Sequence, residues 1–194
     1  MRKVWIPAAV ILVTAAFGQE PAVERSAIWS DTVKRGDLPI MLRGLGVLAA
    51  DKTAEIKLQE DLIKQVQPGQ TATVDTGQGV VNGKVARVGQ AVVVVKLDEP
   101  LSDAVRPGRD VDATIYIRTL KDVMYVGRPV VYALNGENTI FLMDADGQHA
   151  TRVKVQYGAG SINRVEIRSG LQPGDRVILS DMSAYKDQQR VRVQ

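Results

Sequence analysis

The sequence predicts a mainly β protein: a small β-barrel followed by a second small β module, behind an N-terminal signal or anchor helix. Three observations predict this. Short β-rich runs fill residues 91–181, among them AVVVVKLDEPL, VDATIYI, NTIFLMD, TRVKVQYG, NRVEIRSGL and DRVILS. Turns of Gly, Pro, Asn and Asp separate them, and two punctuations repeat, VRPGRDV at 105–111 and LQPGDRV at 171–177. Proline fixes φ and glycine accepts φ > 0, so each reads as a tight turn. Aromatic residues make up only 5% of the chain, so Val, Ile, Leu and Ala must build the core, which suits pleated surfaces.

The elements follow in order. Met1-Arg2-Lys3 is basic, Val4 to Phe17 is uncharged and apolar, and Ala16-Phe17-Gly18 offers small residues before polar Gln19-Glu20. Residues 1–18 therefore read as a signal peptide or a membrane anchor, short of the about 20 residues a span needs. Residues 19–30 hold few apolar side chains and read as a linker. Residues 31–48 contain a first strand at Leu38–Leu42. Pro39 lies near its start, and Gly44 and Gly46 are expected to loosen it. With no evident barrel partner, this strand is assigned to the second module.

Residues 52–118 read as the barrel. Ile56 and Leu58 alternate, and Leu62, Ile63 and Val66 space as two turns of helix stopped by Pro68-Gly69, a plug for an open barrel end. Strands follow at 70–75, at 80–88 with a bulge at Gly83, at 91–97 buried on both sides or facing a barrel interior, and at 110–117. Residues 98–107 form a loop. In residues 119–194 the strands are 124–132, 139–143, 150–156, 164–168 and 176–179. Asn135-Gly136 and Asp144–Gly147 read as hairpin turns. RVRV at 190–193 reads as an edge strand guarded by its charges.

Composition excludes several functions. The formal charge of +3 falls to +1 without Arg2 and Lys3, and the remaining charges alternate in sign, which argues against nucleic acid. No cysteine is present, so disulfides, thiolate nucleophiles and cysteine zinc sites are ruled out. His149 is the single histidine and has no partner at ligand spacing, so it reads as a turn residue. Asp144-Ala145-Asp146-Gly147 begins like a calcium loop, but Val155 stands where the twelfth-position Glu belongs. Asp98-Glu99 and the pair Asp110 and Asp112 read as solvated strand ends. No nucleophile elbow or phosphate loop occurs. Trp29 and Tyr185 are candidate interface anchors, weighed against ordinary packing. No catalytic, cofactor-binding or metal-binding residue is assigned, and no cofactor is expected.

Five stretches together resemble a known family. They are TVKRGDL with GLGV in 32–47, QPGQTATV at 67–74 with NGKVARV at 82–88, VRPGRDV at 105–111, GLQPGDRVI at 170–178, and the tail from Ser180-Asp181-Met182 to Arg190–Val193. Their order is similar to that of the membrane fusion proteins, the HlyD-like periplasmic adaptor subunits of bacterial efflux and secretion pumps. The family's lipoyl domain and α-helical hairpin are lacking between Val47 and Ala54. The resemblance implies a non-catalytic adaptor in the periplasm, associated with the inner membrane. It implies docking on the extracytoplasmic face of an inner-membrane transporter, an ABC permease in preference to an RND permease. It also implies a homo-oligomeric ring. Contact with an outer-membrane channel is not carried over, because the family makes it through the absent hairpin. The alternative is a stand-alone periplasmic module whose barrel mouth takes a small ligand or glycan.

Overall fold

The computed structural model describes residues 20–49, 52–98 and 106–194. The signal or anchor reading of residues 1–18 therefore lies outside the described residues, as do Glu99 and most of the 98–107 loop. None of the described helices is long and apolar enough to cross a membrane.

Six strands close a ring. They are β3 (Lys34–Leu48), β4 (Thr53–Lys57), β5 (Thr71–Asp75), β6 (Val80–Val88), β7 (Val92–Leu97) and β8 (Asp110–Gly127). The order β3-β4-β7-β6-β5-β8 returns to β3, with every contact antiparallel. Period-2 alternation turns one set of side chains inward. Ile56, Val74, Val93, Val95, Ala113 and Ile115 are fully buried there. The valine run thus faces the interior with alternate residues, leaving Val92 and Val94 half-buried outside. A short helix, α1 (Glu60–Ile63), inserts Ile63 into this core together with Val66, as the plug reading expects.

Three expectations fail in the ring. The first strand does not belong to the second module alone. β3 supplies the ring's sixth strand, and Gly44 and Gly46 tighten the pairing rather than loosen it. A Cβ on Gly44 would lie 2.6 Å from Ile56 Cγ2, and one on Gly46 would meet the Glu55 carbonyl. The bulge of β6 is at Ala86, where the register slips between Val85 and Arg87. Gly83 instead lets the Lys96 carbonyl approach.

The second body is built from β1 (Ala22–Val23), β2 (Ser30–Thr32), the far ends of β3 and β8, β9 (Glu137–Met143), β10 (His149–Gly160), β11 (Arg164–Ser169), β12 (Arg176–Ile178) and β13 (Arg190–Val193). Its order runs β2-β12-β9-β10-β11-β8. The described part of the expected linker, residues 20–30, is not one: β1 pairs in parallel with β13, and β2 pairs with β12. Val23 and Ile28 are few, but each packs into a core made by other strands, a placement that local composition does not signal. β13 is not an edge either. It lies between β1 and the start of β10, with Val191 and Val193 buried and its arginines outward. Both faces of this sheet are covered. Ile140 and Val177 join one apolar cluster, while their neighbours Phe141 and Ile178 join another.

Asp144–Gly147 joins β9 to β10 as a hairpin, with Gly147 at φ +70. The Pro-Gly turns put Gly108 at φ +83 and Gly174 at φ +97. Asn135-Gly136 is a turn but not a hairpin, because β8 and β9 do not pair. The Asn138 amide holds it by donating to the Ala133 and Gly136 carbonyls.

No break falls at the expected border of 118 and 119. β8 runs through it, and β3 follows opposite, from Gly46↔Val111 to Lys34↔Tyr125, with the register slipping between Ile40 and Met41 and again between Gly36 and Leu38. Leu38 and Ile40 are fully buried at this joint. Pro39 is tolerated inside a 15-residue strand because β4 pairs only from Leu45 onward, so the other edge of β3 is open there. The Ser161 hydroxyl fills that edge, donating to the Pro39 carbonyl (2.8 Å) and accepting from the Met41 N–H (3.1 Å). Outside, Lys121 pairs with Asp37 (2.6 Å) and Arg35 with Asp122 (2.8 Å). These contacts hold both carboxyls below the usual carboxylate range, chiefly through the hydrogen bonds from Lys121 and Arg35.

Candidate docking surfaces and polar clusters

Apolar side chains left in water mark where this molecule can meet others. Trp29 is 61% exposed, just ahead of β2, and its backbone N–H donates to Ser180 Oγ (2.6 Å). Its carbonyl accepts the Leu179 N–H, and the Leu179 carbonyl accepts the Val130 N–H. Trp29 and the exposed pair Val130 and Val131 are thereby tied around Leu179 on the second body. On the ring, Leu45 and Val47 point outward from β3 and Val80 from β6. Trp29 thus keeps the standing of a candidate anchor. Tyr185 does not: it is half-buried against the β1 and β13 core, and its hydroxyl donates to the Ala22 carbonyl (3.2 Å).

The titratable groups are disposed differently from the expectation at one place. His149 does have partners: its ring, Asp144 and Asp146 bring ligand atoms within 4.8 Å of one another at the β9–β10 hairpin. Sequence spacing hid this because the hairpin folds residue 149 back beside residue 144. The charge there is already met. Arg190 pairs with Asp144 (2.7 Å) and with Glu20 (3.8 Å), and Glu20 stands 3.6 Å from His149 Nε2. Asp146 accepts the Gln148 N–H as a turn. The cluster therefore reads as a cross-braced hairpin, with a guanidinium where a cation would sit.

Asp110 and Asp112, two apart on β8, line one open surface depression with Asp75, and there Asp112 is ion-paired with Arg43. Among the described residues the ring interior is filled by side chains, with Ile63 of α1 and Val66 packed into it.

The chain matches no family model and no curated protein. Among solved structures it is similar to MacA from Actinobacillus actinomycetemcomitans, with 17% identity and a TM-score of 0.46 over 66% of this chain and 42% of that one. It is also similar to ZneB from Cupriavidus metallidurans, with 26% identity and a TM-score of 0.35 over 67% of this chain and 40% of that one. The chain thus spans about two fifths of the length of the structures it matches.

Residues that sequence reasoning missed are Val130, Val131, Arg152, Tyr157 and Lys186. The two valines lie in an apolar run, RPVVY, that looks like any buried strand. The other three sit on β10 and in the segment before β13, and only the packing of β9 and β12 brings them together.

Proposed function

We propose that the protein is a non-catalytic periplasmic adaptor that docks on the extracytoplasmic face of an inner-membrane transporter in an efflux or secretion system. The five stretches of sequence that resemble periplasmic adaptor subunits support the reading. The observation that carries it is the exposure of large apolar side chains on both bodies, which the paired strands β3 and β8 join. Such a molecule contributes surfaces rather than a reaction centre. Its polar clusters are paired with one another or solvated. An ABC permease is favoured over an RND permease because the tail from Ser180 to Val193 most resembles adaptors of ABC exporters. Self-association into a ring belongs to the same reading, weakened by the absence of the lipoyl and hairpin layers.

The test is in-cell crosslinking from Trp29 and Val130 with a photoreactive residue, followed by mass spectrometry. An integral permease crosslinked at both positions supports the proposal, and Trp29→Ala with Val130→Ser removes the complex without changing thermal stability. A soluble protein that crosslinks to nothing in the membrane fraction refutes it.

A further inference from the structure

Between β9, the end of β12 and the turn at Ser183–Tyr185 lies a cleft of about 210 Å³. Its floor is apolar, formed by the paired and buried Phe141 and Ile178, and Ile140 also lines it. Its rim carries Arg152 and Lys186, and among the described residues neither side chain has an acidic partner. Tyr157 also lines the cleft. The residue is 1% exposed, yet its hydroxyl has no hydrogen-bond partner among the described residues and is not sealed from solvent. A buried phenol ordinarily finds a partner. Here the unmet donor opens on the cavity, and burial raises its pKa, so it keeps its proton. Asp181, on the same rim, is already taken up by Ser183, whose N–H and O–H both donate to it.

Three unpaired donors above an apolar floor define a ligand with one anionic end. We propose that this cleft binds a small organic anion, a carboxylate carried on a single ring or a short aliphatic chain. The apolar body lies against Phe141 and Ile178, and the carboxylate takes Arg152, Lys186 and the Tyr157 hydroxyl. The cavity is smaller than the roughly 300–1,000 Å³ of drug-sized sites, which limits the body to about one ring. Nothing in this inference depends on the adaptor reading.

Isothermal titration of the purified protein with phenylacetate, hexanoate, hexylamine and inorganic phosphate tests it. Both carboxylates are expected to bind saturably. The amine is expected not to bind, and phosphate, lacking the apolar body, to bind at least about ten-fold more weakly. Arg152→Gln with Lys186→Gln should weaken phenylacetate roughly ten-fold or more, and Tyr157→Phe several-fold. Thr139→Phe, placed at an exposed rim position, should fill the cleft and abolish binding while the circular dichroism spectrum is unchanged. Equal binding of hexylamine or phosphate, unaltered affinity in the double variant, or no saturation by either carboxylate at millimolar concentration overturns the proposal.

Discussion

Ser161→Ala tests the account of the joint. The hydroxyl is buried and makes two contacts, to the Pro39 carbonyl at 2.8 Å and from the Met41 N–H at 3.1 Å. Alanine removes both and supplies nothing in return. A buried group left without its partner costs about 1–3 kcal/mol, and water can partly replace the loss because Pro39 and Met41 are half-buried. The expected destabilisation is therefore about 2 kcal/mol rather than the sum of two full penalties. For a chain of this size that corresponds to a fall in Tm of roughly 4–8 °C. Urea unfolding followed by circular dichroism measures it. Ser169→Ala serves as the control: that serine is exposed on β11, and the change should stay within about 0.5 kcal/mol. Because β3 and β8 belong to both bodies, the loss should appear as a shift of one transition. A Ser161→Ala protein within about 0.5 kcal/mol of the parent would refute the idea that this hydroxyl completes the open edge of β3.

Ile56→Ala, in the packed ring core, should cost about 2–5 kcal/mol in the same assay, and a loss under about 1 kcal/mol would contradict the filled interior. Gly170 and Gly174 share φ +97, but a Cβ at Gly170 would strike the Lys154 carbonyl while one at Gly174 meets open space. Gly170→Ala should therefore lower Tm more than Gly174→Ala, and equal shifts would argue against the close approach. Asp37 and Asp122 have folded pKa values below the ordinary carboxylate value of 3.8, so their contribution is present above that pH and fades as pH falls through and below it. The urea midpoint should drop below about pH 4, and Asp37→Asn with Asp122→Asn should flatten that drop, most visibly at low salt.

Much of the β architecture was legible because its signals are local. Val93, Val95 and Leu97 alternate inward within one strand, Ile63 and Val66 keep helical spacing, and Asp144–Gly147 carries its own turn chemistry. The joint was not legible. Residues 110–117 and 124–132 each have a complete strand pattern, and Arg118 to Val123 between them looks like a polar connection. Only the pairing with β3 shows that it remains extended. Val23 and Val191 posed the same difficulty, since a two- or four-residue strand is held by partners distant in sequence. The cleft was the least visible, for Arg152 and Lys186 look like solvated charges until the fold places them with Tyr157 in the lining of one cavity.

The passage of β3 and β8 through both bodies has a mechanical consequence. A protease nick after residue 118 would release neither half, since β3 alone still threads both bodies. A hinge at that point would have to strip the rungs from Leu38↔Leu120 to Met41↔Tyr116, so a bend between the two bodies must break pairs on both sides of the register slip at Ile40 and Met41.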